Sequence, residues 1–211
     1  MWARLWDFSN SNCHFDIILS LIQSLIAMIV GIAGTNSAGK DSVANILKDA
    51  GFEQFSLSDS IREEAKGRGL PSDRDVLIRL GNELREKFGP GILGDRIIDI
   101  IKKKNVAKAS VISIRNPAEA QALSKHDDFF LVWVDAPPQL RYERSLARHR
   151  DKSDSLSYED FIAMEDLERD AGPSGQRLDL IKNMARFKID NTGSIEELKE
   201  KVDSLIDSIS R

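Results

Sequence analysis

Cysteine is almost missing from this chain. Cys13 is the only one in 211 residues, so no disulfide can form within it. A tetrahedral zinc site of thiolates is excluded as well, and a reducing compartment such as the cytoplasm is expected. Histidine is nearly as scarce: His14, His126 and His149 share no metal-ligand spacing, and no Ser-His-Asp or Cys-His arrangement suggests a nucleophile. His149 stands beside arginines and reads as their solvated neighbour. An excess of positive charge is lacking too. The formal net charge is −4, which argues against a nucleic-acid surface. Long uninterrupted apolar runs are also absent. Phe15 to Ala33 is mostly apolar, but Asp16 and Gln23 break it and no basic segment precedes it. Its last part is needed as a strand, so no membrane segment is expected. Residues 1–27 read as an isolated helix or a poorly ordered extension. Met28 remains an alternative start, since it begins the first strand directly. No internal repeat or low-complexity tract interrupts the rest.

Hydrophobic residues make up 41% and charged residues 30%, the balance of one globular domain that buries a real core. Five short apolar runs predict strands at Met28–Ala33, Phe52–Leu57, Ala109–Ile114, Phe129–Val134 and Arg186–Ile189. Helical patterns separate them, so the fold class is α/β: three layers, with a five-stranded parallel sheet covered on both faces. Val43, Ile46, Leu47 and Ala50 form one helical stripe, stopped by Gly51. Ser72 with Asp75 resembles an acidic capping box, and the helix it opens ends at "GPG". Asn116-Pro117 is a cap and first-turn pair. Ser194 with Glu197 caps a terminal helix striped by Ile195, Leu198, Val202, Leu205 and Ile209.

The segment that points to chemistry is "GTNSAGK", Gly34 to Lys40, placed between a predicted strand and a predicted helix. That is the context in which a P-loop (Walker A) motif has a mechanism. Gly34 and Gly39 let the backbone wrap closely, so that the N–H groups of Thr35, Asn36, Ser37 and Ala38 face a phosphate chain. The following helix adds its N-terminal dipole, and Lys40 supplies a point charge for the outer phosphates.

After the lysine, a strict motif has Ser or Thr; here Asp41 intervenes and Ser42 follows. "GKDS" resembles the Gly-Lys-Asp-Thr loop of phage-type deoxynucleoside monophosphate kinases, relatives of the adenylate kinases. The resemblance covers about residues 28 to 207 and implies a P-loop kinase domain over 28–211, with ATP and Mg²⁺ as cofactors. It also implies a helical lid at about 150–176, the most polar stretch between strands and the one expected to move. Ser42 would sit near Mg²⁺ and the β-phosphate, with the Asp41 carboxylate turned away from the nucleotide. In "FSLSDSIREEAKGRG", Asp59 and Arg62 match the acid and arginine of the acceptor segment, and Arg115 matches a strand-end arginine that binds acceptor phosphate. Asn82 and Arg85 either line the acceptor site or lie on a solvated helix face. Relatives often carry Asp two residues before that strand-end arginine. This chain has Ser113, and Asp135 is a candidate substitute acid after the next strand.

Arg141, Arg144 and Arg148 recur at three- and four-residue spacing on one helix face, where salt bridges with Glu143 and Asp151 are one explanation. By resemblance, Arg144 flanks the adenine and Arg148 reaches the phosphates, with Arg150 and Arg169 as lesser candidates. Asn191-Thr192-Gly193 matches either a base-contacting loop or a simple turn. The implied function is an ATP-dependent nucleoside or deoxynucleoside monophosphate kinase with a small nucleotide acceptor. The alternatives are a dephospho-CoA kinase, with Asp59 as catalytic acid, and a nucleotide-binding regulatory ATPase without phosphotransfer. The sequence specifies neither the acceptor nor the oligomeric state.

Overall fold

The computed structural model describes residues 28–148, 157–169 and 177–210, the side chains of Arg74, Arg148, Leu167, Glu168 and Arg169 excepted. The extension 1–27 with His14, and residues 149–156 and 170–176, which include His149, Arg150 and both ends of the expected lid, lie outside the described residues.

All five apolar runs are strands: β1 (Met28–Gly34), β2 (Glu53–Ser56), β3 (Lys108–Ile112), β4 (Phe129–Asp135) and β5 (Phe187–Asp190). They pair in the order β2-β3-β1-β4-β5, and every pair is parallel. Parallel neighbours require crossovers, and the helices that make them cover both faces. The central strand therefore has no polar face: Ile29, Val30, Ile32 and Ala33 are all buried.

Nine described helices follow in chain order: α1 (Lys40–Asp49), α2 (Leu57–Gly67), α3 (Arg74–Phe88), α4 (Ile92–Lys104) and α5 (Pro117–Leu123), then α6 (Pro138–Arg148), α7 (Tyr158–Arg169), α8 (Leu178–Met184) and α9 (Ile195–Ile209). One core cluster joins Val30, Ile32, Val132 and Val134 to Val43 and Leu47 of α1 and to Leu198, Val202 and Leu205 of α9. The other joins Ile29, Ala33, Val111 and Trp133 to Ile61, Leu84, Ile97 and Leu123 of α2 to α5. The alternation of Ile29 and Val30 between these clusters is the period-two pleat of a strand buried on both sides.

Two expected details shift. The cap of α3 is Asp73, not Ser72: its carboxylate accepts from the Val76 N–H at 3.0 Å. A negative cap is favoured over a hydroxyl by the positive end of the helix. Ile195, placed in the apolar stripe of α9, is 55% exposed because it opens the helix before the stripe reaches the sheet. The Ser194 cap accepts from the Glu197 N–H as expected.

Candidate functional site

The carboxyl ends of all five strands lie along one edge of the sheet, where open parallel sheets bind ligands. β1 leaves that edge through Gly34. A Cβ there would stand 2.1 Å from the Val134 carbonyl oxygen, so the close approach to β4 requires glycine. Ser37 at φ 55° and Gly39 at φ 98° then bend the chain through the left-handed region twice within three residues. Such a bend makes a concave loop, and this one ends on the N-terminus of α1, where backbone dipoles favour an anion.

Lys40 is the first residue of α1, and its Nζ donates to the Gly34 and Thr35 carbonyls at 3.0 and 2.5 Å. The ammonium is thereby held across the mouth of the loop. Asp41 is exposed beside it, Ser42 is half-buried in the first turn, and Ala38 is fully buried beneath.

The next two strands brace this loop. Thr35 Oγ1 donates to Asp135 Oδ1 at 3.1 Å, linking the loop's first residue to the end of β4. Asp135 also accepts from Ala136 N–H, from Trp133 Nε1 at 3.2 Å and from Lys182 Nζ at 2.8 Å. Burial alone pushes the Asp135 carboxyl up. The hydrogen bonds from Lys182 and Trp133, with the lysine's charge, outweigh it and hold the group below its ordinary value. From the end of β5, Asn191 Nδ2 donates to the Ala38 carbonyl at 2.8 Å, and a Cβ on Gly39 would collide with that amide. Asn191 is therefore buried against the loop, whereas Thr192 and Gly193 are exposed.

On the opposite side of β1, Ser56 and Ser113 share a hydroxyl–hydroxyl hydrogen bond of 3.0 Å between the ends of β2 and β3. Ser113 holds φ 66°, an unusual backbone for a side-chain-bearing residue. Arg115 follows, exposed, with its carbonyl accepting from the Arg177 N–H at 3.1 Å. Its own N–H donates to Glu119, a carboxylate 0% exposed that also accepts from the Asn116 N–H and from Arg85 Nε and Nη2. Arg85, with Asn82 bonded to its Nη1, is thus engaged in fixing the β3–α5 turn. Glu119 was missed from the sequence, although an acid three residues after the Asn116 cap is the capping-box signal. Asp59 and Arg62 stand on α2 and pair with each other at 2.7 Å, both more than half exposed.

The α6 arginines divide. Arg141 is 5% exposed; its Nε donates to the Ala136 carbonyl at 3.0 Å and its Nη1 to the Asn36 carbonyl at 3.4 Å. Its ion-pair partner is Glu165 of α7, not Glu143, which instead accepts from Gln139. Asp151 lies outside the described residues. Arg144 is half-buried, and its Nη1 has no hydrogen-bond partner among the described residues. Arg148 and Arg169 close α6 and α7, with side chains outside the description. Among the described residues no group of three His, Cys, Asp or Glu could hold a metal, and no helix is long and apolar enough to cross a membrane.

Comparison with known proteins adds to this geometry. A family model described as an AAA domain matches residues 31–161. The UPF0200 protein of Halobacterium salinarum strain R1 is 30% identical over 183 residues, covering 84% of this chain and 92% of that protein. The UPF0200/UPF0201 protein of Archaeoglobus fulgidus is 32% identical over 183 residues and 84% of this chain, but the chain spans only 54% of its length. Among solved structures, TT1252 from Thermus thermophilus superposes with a TM-score of 0.59 at 20% identity, over 87% of this chain and 98% of that one. Shikimate kinase from Acinetobacter baumannii, in complex with shikimate, superposes with a TM-score of 0.53 at 18% identity, over 90% and 97%. These two likenesses show the fold alone: a parallel α/β sheet covered by helices.

Proposed function

The chain belongs to the UPF0200 family and to the AAA domain family, and from that premise we propose that it is an ATP-dependent phosphotransferase. The acceptor we propose is a small nucleotide, a nucleoside or deoxynucleoside monophosphate. The observation that carries the reading is the position of Lys40, whose ammonium stands over a double left-handed bend at the N-terminus of α1. Two neutral carbonyls hold it there. A triphosphate in the loop offers charged oxygens, which add direct attraction between opposite charges to the hydrogen bond.

Phosphoryl transfer passes through a loose transition state with charge spread over equatorial oxygens, so positioning and fixed charge do most of the work. The braces from Asp135 and Asn191 keep the loop from yielding as that charge moves. Arg144, whose Nη1 has no hydrogen-bond partner among the described residues, and Arg115, at a strand end whose backbone Glu119 fixes, are the candidates for the nucleotide and for the acceptor's phosphate. A planar guanidinium meets two phosphate oxygens at once. Mg²⁺ fits the donors present: it is ordinarily held by substrate phosphates with one or two protein oxygens, for which Ser42 is placed in the first turn of α1. Bound there, it would neutralise charge on the phosphates.

A coupled assay of ADP release tests this, with ATP·Mg²⁺ offered alongside CMP, dCMP, AMP, dGMP, dTMP or dephospho-CoA. Acceptor-dependent ADP with a monophosphate is expected, and Lys40→Ala is expected to lower kcat/KM at least about 100-fold with the unfolding transition unchanged. Turnover with dephospho-CoA alone moves the acceptor to that class. ATP binding without acceptor-dependent ADP makes the protein a regulator, and full activity in Lys40→Ala refutes the cradle.

A further inference from the structure

Arg141 is a buried cation shared by three parts of the molecule. Its guanidinium reaches the β4–α6 turn through Ala136, the phosphate loop through Asn36, and α7 through Glu165. The Phe161 ring of α7, itself 3% exposed, lies 5.8 Å from the guanidinium carbon. Tyr142, next along α6, packs on Tyr158 and Phe161 at ring separations of 5.5 and 5.7 Å. α7 is therefore docked on α6 by an aromatic cluster and, at its phosphate-loop side, by the Arg141–Glu165 ion pair. Elsewhere in the molecule, the ion pairs Asp59–Arg62, Lys104–Glu53 and Lys199–Asp203 are surface pairs with both partners exposed. Arg141–Glu165 differs because both side chains are largely out of water. Breaking such a pair leaves an uncompensated charge, so its two halves move together or at a large cost.

The contact with Asn36 gives that pair a second consequence. The Asn36 carbonyl and the Ser37 N–H belong to one rigid peptide plane and point in opposite directions. An anion that draws the Ser37 N–H inward therefore fixes the Asn36 carbonyl on the outer side, where Arg141 bonds it. The guanidinium positioned in this way presents the same Nη1 to Glu165.

We propose that Arg141 is a positioning residue that couples occupancy of the phosphate loop to the docking of α7, through the Asn36 carbonyl on one side and the Glu165 carboxylate on the other. The inference rests on reading the loop as a nucleotide cradle. The coupling is reciprocal: a docked α7 holds the loop in its binding form as strongly as a bound phosphate chain holds α7. α7 packs on α6, the helix that carries Arg144, so docking sets the orientation of that side of the site during transfer.

Hydrogen–deuterium exchange of the full chain, with and without AMP-PNP·Mg²⁺, tests the coupling. In the wild type the analogue is expected to slow exchange both at residues 34–42 and across α7. In Glu165→Gln, slowing at 34–42 persists and slowing at α7 is lost. With the acceptor found in the assay above, kcat in that variant falls about tenfold and the ATP KM rises severalfold, as reciprocal coupling requires. Arg141→Lys, which keeps the charge without the planar fork, is expected to recover α7 protection in part. Comparing each variant with and without analogue cancels any general loss of stability. Equal slowing of α7 in Glu165→Gln, or slowing confined to 34–42 in the wild type, overturns the coupling and leaves the cradle standing. An analogue that slows nothing at 34–42 in the wild type overturns both.

Discussion

Asp135 shows how much a single side chain carries. It was legible only as an acid after a strand, a candidate substitute for the one replaced by Ser113. In the folded chain it meets Thr35 of the β1–α1 loop on one oxygen and Lys182 of α8 on the other. Because its folded value is depressed below the ordinary 3.8, its contribution to stability is present above that value. That contribution is lost as pH falls through the lower, folded value. Asp135→Asn is therefore expected to melt below the wild type at neutral pH, with the difference shrinking as the pH drops under about 3.8. Thermal unfolding from pH 7 to pH 2.5 measures it, and a gap that widens on acidification contradicts the assignment. Solvent reaches part of this carboxylate, so its electrostatic effect is screened relative to that of a buried pair.

At the scale of elements, helix starts carry the local information. Asn116 accepts from the Ala118 N–H at 2.9 Å, Pro117 occupies the first turn, and Glu119 returns to the Asn116 N–H. Every component lies within four residues, which is why this start was readable in advance. Removing the cap with Asn116→Ala is expected to cost about 1 kcal/mol in a urea titration. Arg115, whose N–H shares the Glu119 carboxylate, should then lose definition, seen as a raised acceptor KM with the ATP KM unchanged. By contrast, α2, α3 and α4 are joined by Glu64, which accepts from Arg68 at the C-cap of its own helix and from Arg96 of α4. Arg68 also reaches Glu83 of α3. The bonds from Arg68 and then Arg96 hold the Glu64 carboxyl below the usual carboxylate range. Glu64 and Arg68 are four residues apart, but no spacing rule brings Glu83 and Arg96 to them, because those lie on other helices.

For the whole molecule, binding at the strand edge must stabilise the fold by mass action. AMP-PNP·Mg²⁺ at a hundredfold excess over its Kd is expected to add about 2.7 kcal/mol of stability. In a chain of 211 residues this is a rise of several degrees in Tm, measurable by calorimetry. Lys40→Ala should abolish most of that rise, and a rise equal in both proteins would place the ligand outside the loop.

The sequence alone determined the alternating architecture, the strand runs and the glycine turn that joins β1 to α1. Each depends on periodicity or fixed spacing over fewer than about twenty residues, where backbone geometry leaves few choices. Asp135 beside Thr35, Asn191 beneath Ala38, Glu119 under Arg85 and Arg141 between Asn36 and Glu165 were decided by tertiary structure. In each case the partners are far apart along the chain, and only the strand order β2-β3-β1-β4-β5, with its helices packed, brings them within hydrogen-bonding reach.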